Sequence, residues 1–135
     1  MKVLLVSADP AVREQMAITA RGLRRRAPGE PFELIEASNG AAGIALAWKH
    51  RPDLVVADEI TSTAGAFALA KDLKGADPPF RGRVVILLDR RVDAWLAKWA
   101  GADAWFVKPV DPFELADAMR APSAGPDEGQ AKEAG

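Results

Sequence analysis

Five short apolar runs, separated by segments of helical period, constrain this chain more than any other feature. Four are strong: VLLV (3–6), LVVA (54–57), VVILL (84–88) and WFV (105–107); FELIEA (32–37) is weaker. Each is bounded by turn-forming residues and rich in aliphatic or aromatic side chains, so each reads as a strand. The strong runs are continuous rather than alternating, as expected for a parallel sheet covered by helices on both faces. Between them the period changes. Val12, Met16, Ala20 and Leu23 repeat at helical spacing, with Asp9 as N-cap and Pro10 in the first turn. A second helix is predicted over about 38–49 with Ala42, Ala45 and Leu46 inward. A third is predicted over about 64–74 with Phe67, Ala70 and Leu73 inward, ended by Gly75. A fourth carries Val92, Trp95, Leu96 and Trp99 as one apolar stripe, and the last opens on Asp111, Pro112, Phe113 and Glu114, a cap followed by a capping-box-like glutamate.

Five β-α repeats give an α/β fold, a doubly wound parallel sheet. The expected architecture is flavodoxin-like (βα)5 with strand order 2-1-3-4-5. The chain has 135 residues, room for one domain, expected over 1–120. The remainder, APSAGPDEGQAKEAG (121–135), lacks aromatic and β-branched residues and is expected to be a disordered tail.

Composition narrows the chemistry. There is no cysteine and one histidine, His50, so thiol catalysis, Cys-ligated metal and histidine clusters are excluded. A net charge of −1 provides no global field for nucleic acid or an anionic membrane. Neither a signal peptide nor an apolar run of membrane-spanning length is present, so a cytoplasmic location is expected. No GxGxxG, Walker or nucleophile-elbow pattern occurs, and no enzymatic activity is expected.

In doubly wound sheets the site lies beyond the carboxyl ends of the strands. Those ends carry Ser7, Ala8 and Asp9 after the first strand, Asp58 and Glu59 after the third, Leu88 and Asp89 after the fourth, and Lys108 after the fifth. Taken singly, each has a bland explanation: Asp9 caps a helix, Asp58 is a loop acid, Lys108 is a solvated turn residue. Together, a carboxylate and a lysine at one crevice suit phosphoryl transfer, with the carboxylate as nucleophile and the lysine neutralising charge.

In KVLLVSADPAVRE (2–14), RPDLVVAD (51–58) and GADAWFVKPVDPFEL (101–115), the chain resembles a response-regulator receiver domain, CheY-like, over about residues 1–120. The resemblance implies that Asp58 is the phosphoacceptor for a histidine kinase and that Lys108, followed by Pro109, contacts the phosphoryl group. It also implies that Leu88 and Trp105 hold the two switch positions. The family's Mg2+-binding acid pair falls on Ser7 and Ala8, a degenerate pair. The remaining candidate metal ligands are Asp58, the backbone carbonyl of Ile60, and Asp9, whose capping geometry competes. The loop EITSTAGAF (59–67) lacks the family's usual proline, and DRRVDAW is about two residues short.

Magnesium requires near-octahedral oxygen ligation. With the acid pair reduced to a hydroxyl and a methyl, Mg2+ binding and phosphorylation are expected to be weak or absent. Relief of carboxylate crowding lets an Asp58–Lys108 ion pair stand without metal. Leu88 cannot bond a phosphoryl oxygen, and a register shift of one would put Asp89 there instead.

Three readings remain. The first is an atypical single-domain response regulator of two-component signalling, a pseudo-receiver acting through protein–protein contacts. The second is a phosphorylatable receiver using Asp58. The third is a flavodoxin-like small-ligand-binding domain whose crevice has gained Arg90 and Arg91. The family's partner surface covers the fourth helix, fifth strand and fifth helix, where a signalling protein, a histidine kinase or a second copy would dock; DNA and membrane contacts are not expected. The stripe reading makes Trp95 and Trp99 core, whereas Trp105 is singled out as an interface anchor. Arg24, Arg25 and Arg26 read as helix-end charges, as does His50.

Overall fold

The computed structural model describes residues 1–26, 29–59 and 65–120. The strands are β1 (Lys2–Val6), β2 (Glu33–Ala37), β3 (Leu54–Asp58), β4 (Arg83–Leu88) and β5 (Ala104–Val107). Interleaved are α1 (Pro10–Arg26), α2 (Gly40–His50), α3 (Ala66–Lys74), α4 (Ala94–Trp99, entered through a 3-10 turn at Arg91–Asp93) and α5 (Pro112–Arg120). All pairings are parallel and the sheet order is β2-β1-β3-β4-β5, the flavodoxin-like arrangement expected from the alternation. The predicted tail 121–135, the loop around Ile60 and the side chains of Arg24 and Arg26 lie outside the described residues.

The period-two alternation of side chains divides the core into two layers. Val3, Leu5, Leu54, Val56, Val85, Leu87, Ala104 and Phe106 face α1 and α5. Leu4, Val6, Val55, Ala57, Val84, Ile86, Leu88 and Trp105 face α2, α3 and α4. Both faces of each central strand are therefore buried, which is why β1, β3 and β4 read as unbroken apolar runs. β2 is an edge strand with two exposed glutamates, Glu33 and Glu36, which accounts for its weaker signature.

Two helices depart from their predicted faces. α2 begins at Gly40 behind the N-cap Asn39, whose Oδ1 accepts from the Ala42 N–H at 2.8 Å. It buries Gly40, Gly43 and Ala47 and leaves Ala45 exposed. Gly43 is a close-approach glycine: a Cβ there would lie 2.9 Å from both Leu69 and Val6 side chains. In α4 the bulky stripe faces outward. Val92, Trp95 and Trp99 are 64%, 64% and 58% exposed, and the buried positions are Asp93, Ala97 and Ala100. The core reading of Trp95 and Trp99 is thus corrected, and so is the surface reading of Trp105, which is 1% exposed. The cause is volume. Trp105 fills the layer beneath α4 together with Ala97 and Ala100, and at interior packing density only small side chains fit above an indole. Gly101, at φ +86°, turns the chain from α4 into β5 in a conformation disfavoured for other residues.

Candidate functional site

Sheet register builds the site. Val6 pairs with Ala57, so the next residues, Ser7 and Asp58, emerge side by side at the carboxyl edge. Leu88 pairs with Val107 and its carbonyl accepts from the Lys108 N–H at 2.8 Å. Alternation puts Ser7, Asp58, Asp89 and Lys108 in phase with the layer facing α1 and α5.

Asp58 is 1% exposed and both its carboxylate oxygens are engaged. Lys108 Nζ donates to Oδ1 at 2.5 Å, and Ser7 Oγ donates to Oδ2 at 2.8 Å. Ser7, fully buried, also accepts from the Asp9 N–H at 3.1 Å, and its carbonyl accepts from Arg13 Nη1 at 2.7 Å. A serine hydroxyl has one proton, and here it serves Asp58. The lysine lies 3.6 Å from Asp89 as well. A buried carboxylate is tolerated only when paired and hydrogen-bonded, and this one is both.

Other predicted residues lie elsewhere. Asp9 caps α1, its Oδ1 accepting from the Ala11 N–H at 2.9 Å, and is exposed. Ala8 is exposed. Leu88 is fully buried in the layer with Trp105 and presents no polar atom; the side chain that reaches Lys108 from the end of β4 is Asp89. Trp105 is buried, and its indole N–H has no hydrogen-bond partner among the described residues. Arg90 pairs with Asp93 at 3.4 Å.

A carboxyl cluster beside the site had no sequence signal beyond the presence of the acids. Glu59 follows Asp58, accepts from the Asp89 N–H, and hydrogen-bonds Asp93. Burial, then the Asp93 hydrogen bond, push the Glu59 carboxyl up to about 7. The same bond from Glu59 holds Asp93 below the usual carboxylate range. Asp93 was hidden in sequence because it sits between apolar positions of a helix whose outward face is the apolar one.

The donor set fits a magnesium ion poorly. Asp58 has its two oxygens committed, Ala8 offers no ligand, Asp9 is a cap, and Ile60 is outside the described residues. Among the described residues no group of three or more acidic or histidine side chains converges on a cation site.

No protein-family model matches the sequence. An uncharacterized response regulatory protein of Mycobacterium tuberculosis is 29% identical over 118 residues, covering 85% of each chain. Protein PilH of Pseudomonas aeruginosa is 31% identical over 97 residues, 69% of this chain and 78% of its own. The solved structure of the chemotaxis response regulator CheY4 of Vibrio cholerae superposes with a TM-score of 0.74 at 22% identity, covering 88% of this chain and 95% of that one. The chain belongs to the response-regulator receiver family, the signalling modules of two-component systems. Among the described residues no helix is long and apolar enough to cross a membrane.

Proposed function

We propose that this receiver is a pseudo-receiver: it holds one signalling conformation without Mg2+-dependent phosphoryl transfer and acts through protein contacts. The observation that carries the reading is the double engagement of Asp58 by Ser7 and Lys108. To accept a phosphoryl group, a carboxylate oxygen must be free to approach phosphorus, and the charge that builds must be neutralised. Here one oxygen holds a hydroxyl proton, the other an ammonium, and among the described residues no cluster of acidic side chains is gathered to hold a metal. Leu88 and the buried Trp105 supply no polar relay between Asp58 and the outer surface. The contact surface in this reading is α4, with Trp95 and Trp99 outward; Lys71 of α3 stacks on Trp99 at 4.4 Å. Tryptophans of this exposure are typical interface anchors.

Intact mass after incubation with acetyl phosphate and Mg2+ tests the reading. The expected result is no adduct and no change in tryptophan fluorescence. An adduct that disappears in Asp58→Asn would establish the phosphorylatable receiver instead, with Lys108 as the surviving phosphoryl contact. Restoration of a Mg2+ response by Ser7→Asp with Ala8→Asp would support the account of what the chain has lost.

A further inference from the structure

Among the described residues five large apolar side chains are exposed, and three of them follow one another at helical spacing through α4 and its entry turn: Val92, Trp95 and Trp99. Exposed apolar side chains gathered on one face mark a contact surface. The stripe is turned toward α3. Lys71 of α3 places its ammonium 4.4 Å from the centre of the Trp99 ring. The aromatic side chains of β5 are withdrawn from the surface, Trp105 and Phe106 being 1% and 5% exposed.

Charge beside the stripe has one sign. Lys71 and Lys98 are exposed, and neither makes an ion pair among the described residues. The carboxylates of the neighbouring elements are committed elsewhere. Asp72 of α3 accepts from the Trp48 indole N–H at 3.3 Å. Asp93, in the entry turn, is buried and pairs with Arg90. Asp103, between α4 and β5, pairs with Lys74 at 2.8 Å. Arg91 shares a cleft with Asp111 and Glu114, so its charge is met there. The α3–α4 face is therefore apolar with a basic rim.

That chemistry selects among occupants. A second copy fits poorly: a two-fold contact brings the same face against itself, lysine against lysine, with no uncommitted acid on the flanking elements to answer. The segment 121–135 carries Asp127, Glu128 and Glu133, but its apolar residues are alanine and proline, too small to cover two indoles. A nucleic acid or an anionic bilayer meets a chain of net charge −1, with Lys71 and Lys98 alone to hold it. Resting on the pseudo-receiver reading, which places the protein contact on α4, we propose that the α3–α4 face docks an acidic amphipathic helix of another protein. The apolar stripe of that helix covers Val92, Trp95 and Trp99, and its carboxylates pair with Lys71 and Lys98 at the rim. The tryptophans are the anchors, and the lysines select the sign of the partner.

The probe is a fluorescein-labelled helical peptide of about 16 residues, with leucines at helical spacing flanked by glutamates. Its control carries lysines in place of the glutamates. Fluorescence anisotropy with the full chain, without Mg2+ or acetyl phosphate, reads both affinities. The acidic peptide is expected to bind at least about tenfold more tightly than the basic one. Lys71→Glu/Lys98→Glu reverses that order, and Trp95→Ala/Trp99→Ala weakens the acidic peptide about tenfold or more. Phe113→Ser, on α5, leaves it unchanged. All these positions are exposed, so the fold is retained, and far-UV circular dichroism verifies this. Where the glutamates disturb the helices, Lys71→Gln/Lys98→Gln serves, and it removes the discrimination between the peptides. Equal binding of the two peptides, no binding of the acidic one at about 1 mM, or a discrimination that survives the lysine changes overturns the proposal. So does loss of binding in Phe113→Ser, or tighter binding to phosphatidylglycerol vesicles or oligothymidylate than to the acidic peptide. A phosphoryl adduct on Asp58 would overturn the pseudo-receiver reading and leave the peptide results standing; equal peptide binding without an adduct would do the reverse.

Discussion

Replacing Lys108 by methionine isolates what the Asp58–Lys108 pair does. Met keeps most of the side-chain length and removes the charge. Asp58 then stays 1% exposed with one partner, the Ser7 hydroxyl at 2.8 Å. Breaking a buried ion pair by deleting one member typically costs ~3–5 kcal/mol, because a buried charge is left uncompensated. Lys108 itself is 22% exposed, so water reaches the vacated position and discounts the cost to about 2–4 kcal/mol. With a urea m-value near ~1.5 kcal/mol/M for a domain of this size, the unfolding midpoint should fall by about 2 M. Removing the charge as well, in Asp58→Asn/Lys108→Met, eliminates the buried ion and should recover most of the loss, leaving a coupling energy of at least ~1.5 kcal/mol. Tryptophan fluorescence in urea reads all four members of the cycle. A Lys108→Met midpoint within ~0.3 M of the parent, or a double variant less stable than Lys108→Met, would refute the argument that the pair holds the site together without a metal.

Three further outcomes follow from the same geometry. Trp105→Ala should cost about 3–5 kcal/mol as a buried aromatic truncation, whereas Trp99→Ala should cost under ~1 kcal/mol; equal costs by urea unfolding would contradict the outward stripe of α4. Gly43→Ala should destabilise by about 1–3 kcal/mol through overpacking against Leu69 and Val6, checked by the shift in thermal midpoint. Glu59 is pushed up to about 7 from 4.5, so the folded state binds more protons than the unfolded one between these values. Its contribution to stability is therefore largest below pH 4.5 and is lost as pH rises toward 7. Glu59→Gln should flatten that part of the stability–pH profile, and an unchanged slope would dispose of the Glu59–Asp93 proton-sharing arrangement.

The sheet was legible because burial on both faces leaves a signature that no surface element mimics: VLLV, LVVA and VVILL can be little else in a short chain. The site was legible for a related reason. Parallel strands deliver their carboxyl ends to one edge, so Asp58 and Lys108 meet even though fifty residues separate them. What remained hidden were choices that depend on volume. Periodicity marks an apolar stripe on α4, but it cannot say which of two stripes faces inward. The small residues Ala97 and Ala100 win because Trp105 already occupies the space beneath them. The same is true of Ala45, displaced from the interior because the closer approach at Gly43 sets the rotation of α2.

Ser7 shows why a missing motif can be structurally informative. By sequence it marks the loss of an acid. In the fold it is a buried donor, and a donor is what an acid at that position could not be. Two carboxylates side by side repel and call for a cation between them; a hydroxyl and a carboxylate attract directly, at 2.8 Å. In the proposed pseudo-receiver, serine at this position lets the site close on itself, with Lys108 completing the second oxygen. The Asp9 amide donates to Oγ, and Asp58 Oδ2 at 2.8 Å is a nearer acceptor for the hydroxyl than the Asp9 carbonyl at 3.4 Å. Ser7→Ala should therefore loosen Asp58 more than it loosens β1. Amide exchange should then accelerate at the carboxyl ends of β3 and β5, while the protection of residues 3–6 stays unchanged. Uniform acceleration across the sheet would mean that Ser7 is merely part of the core.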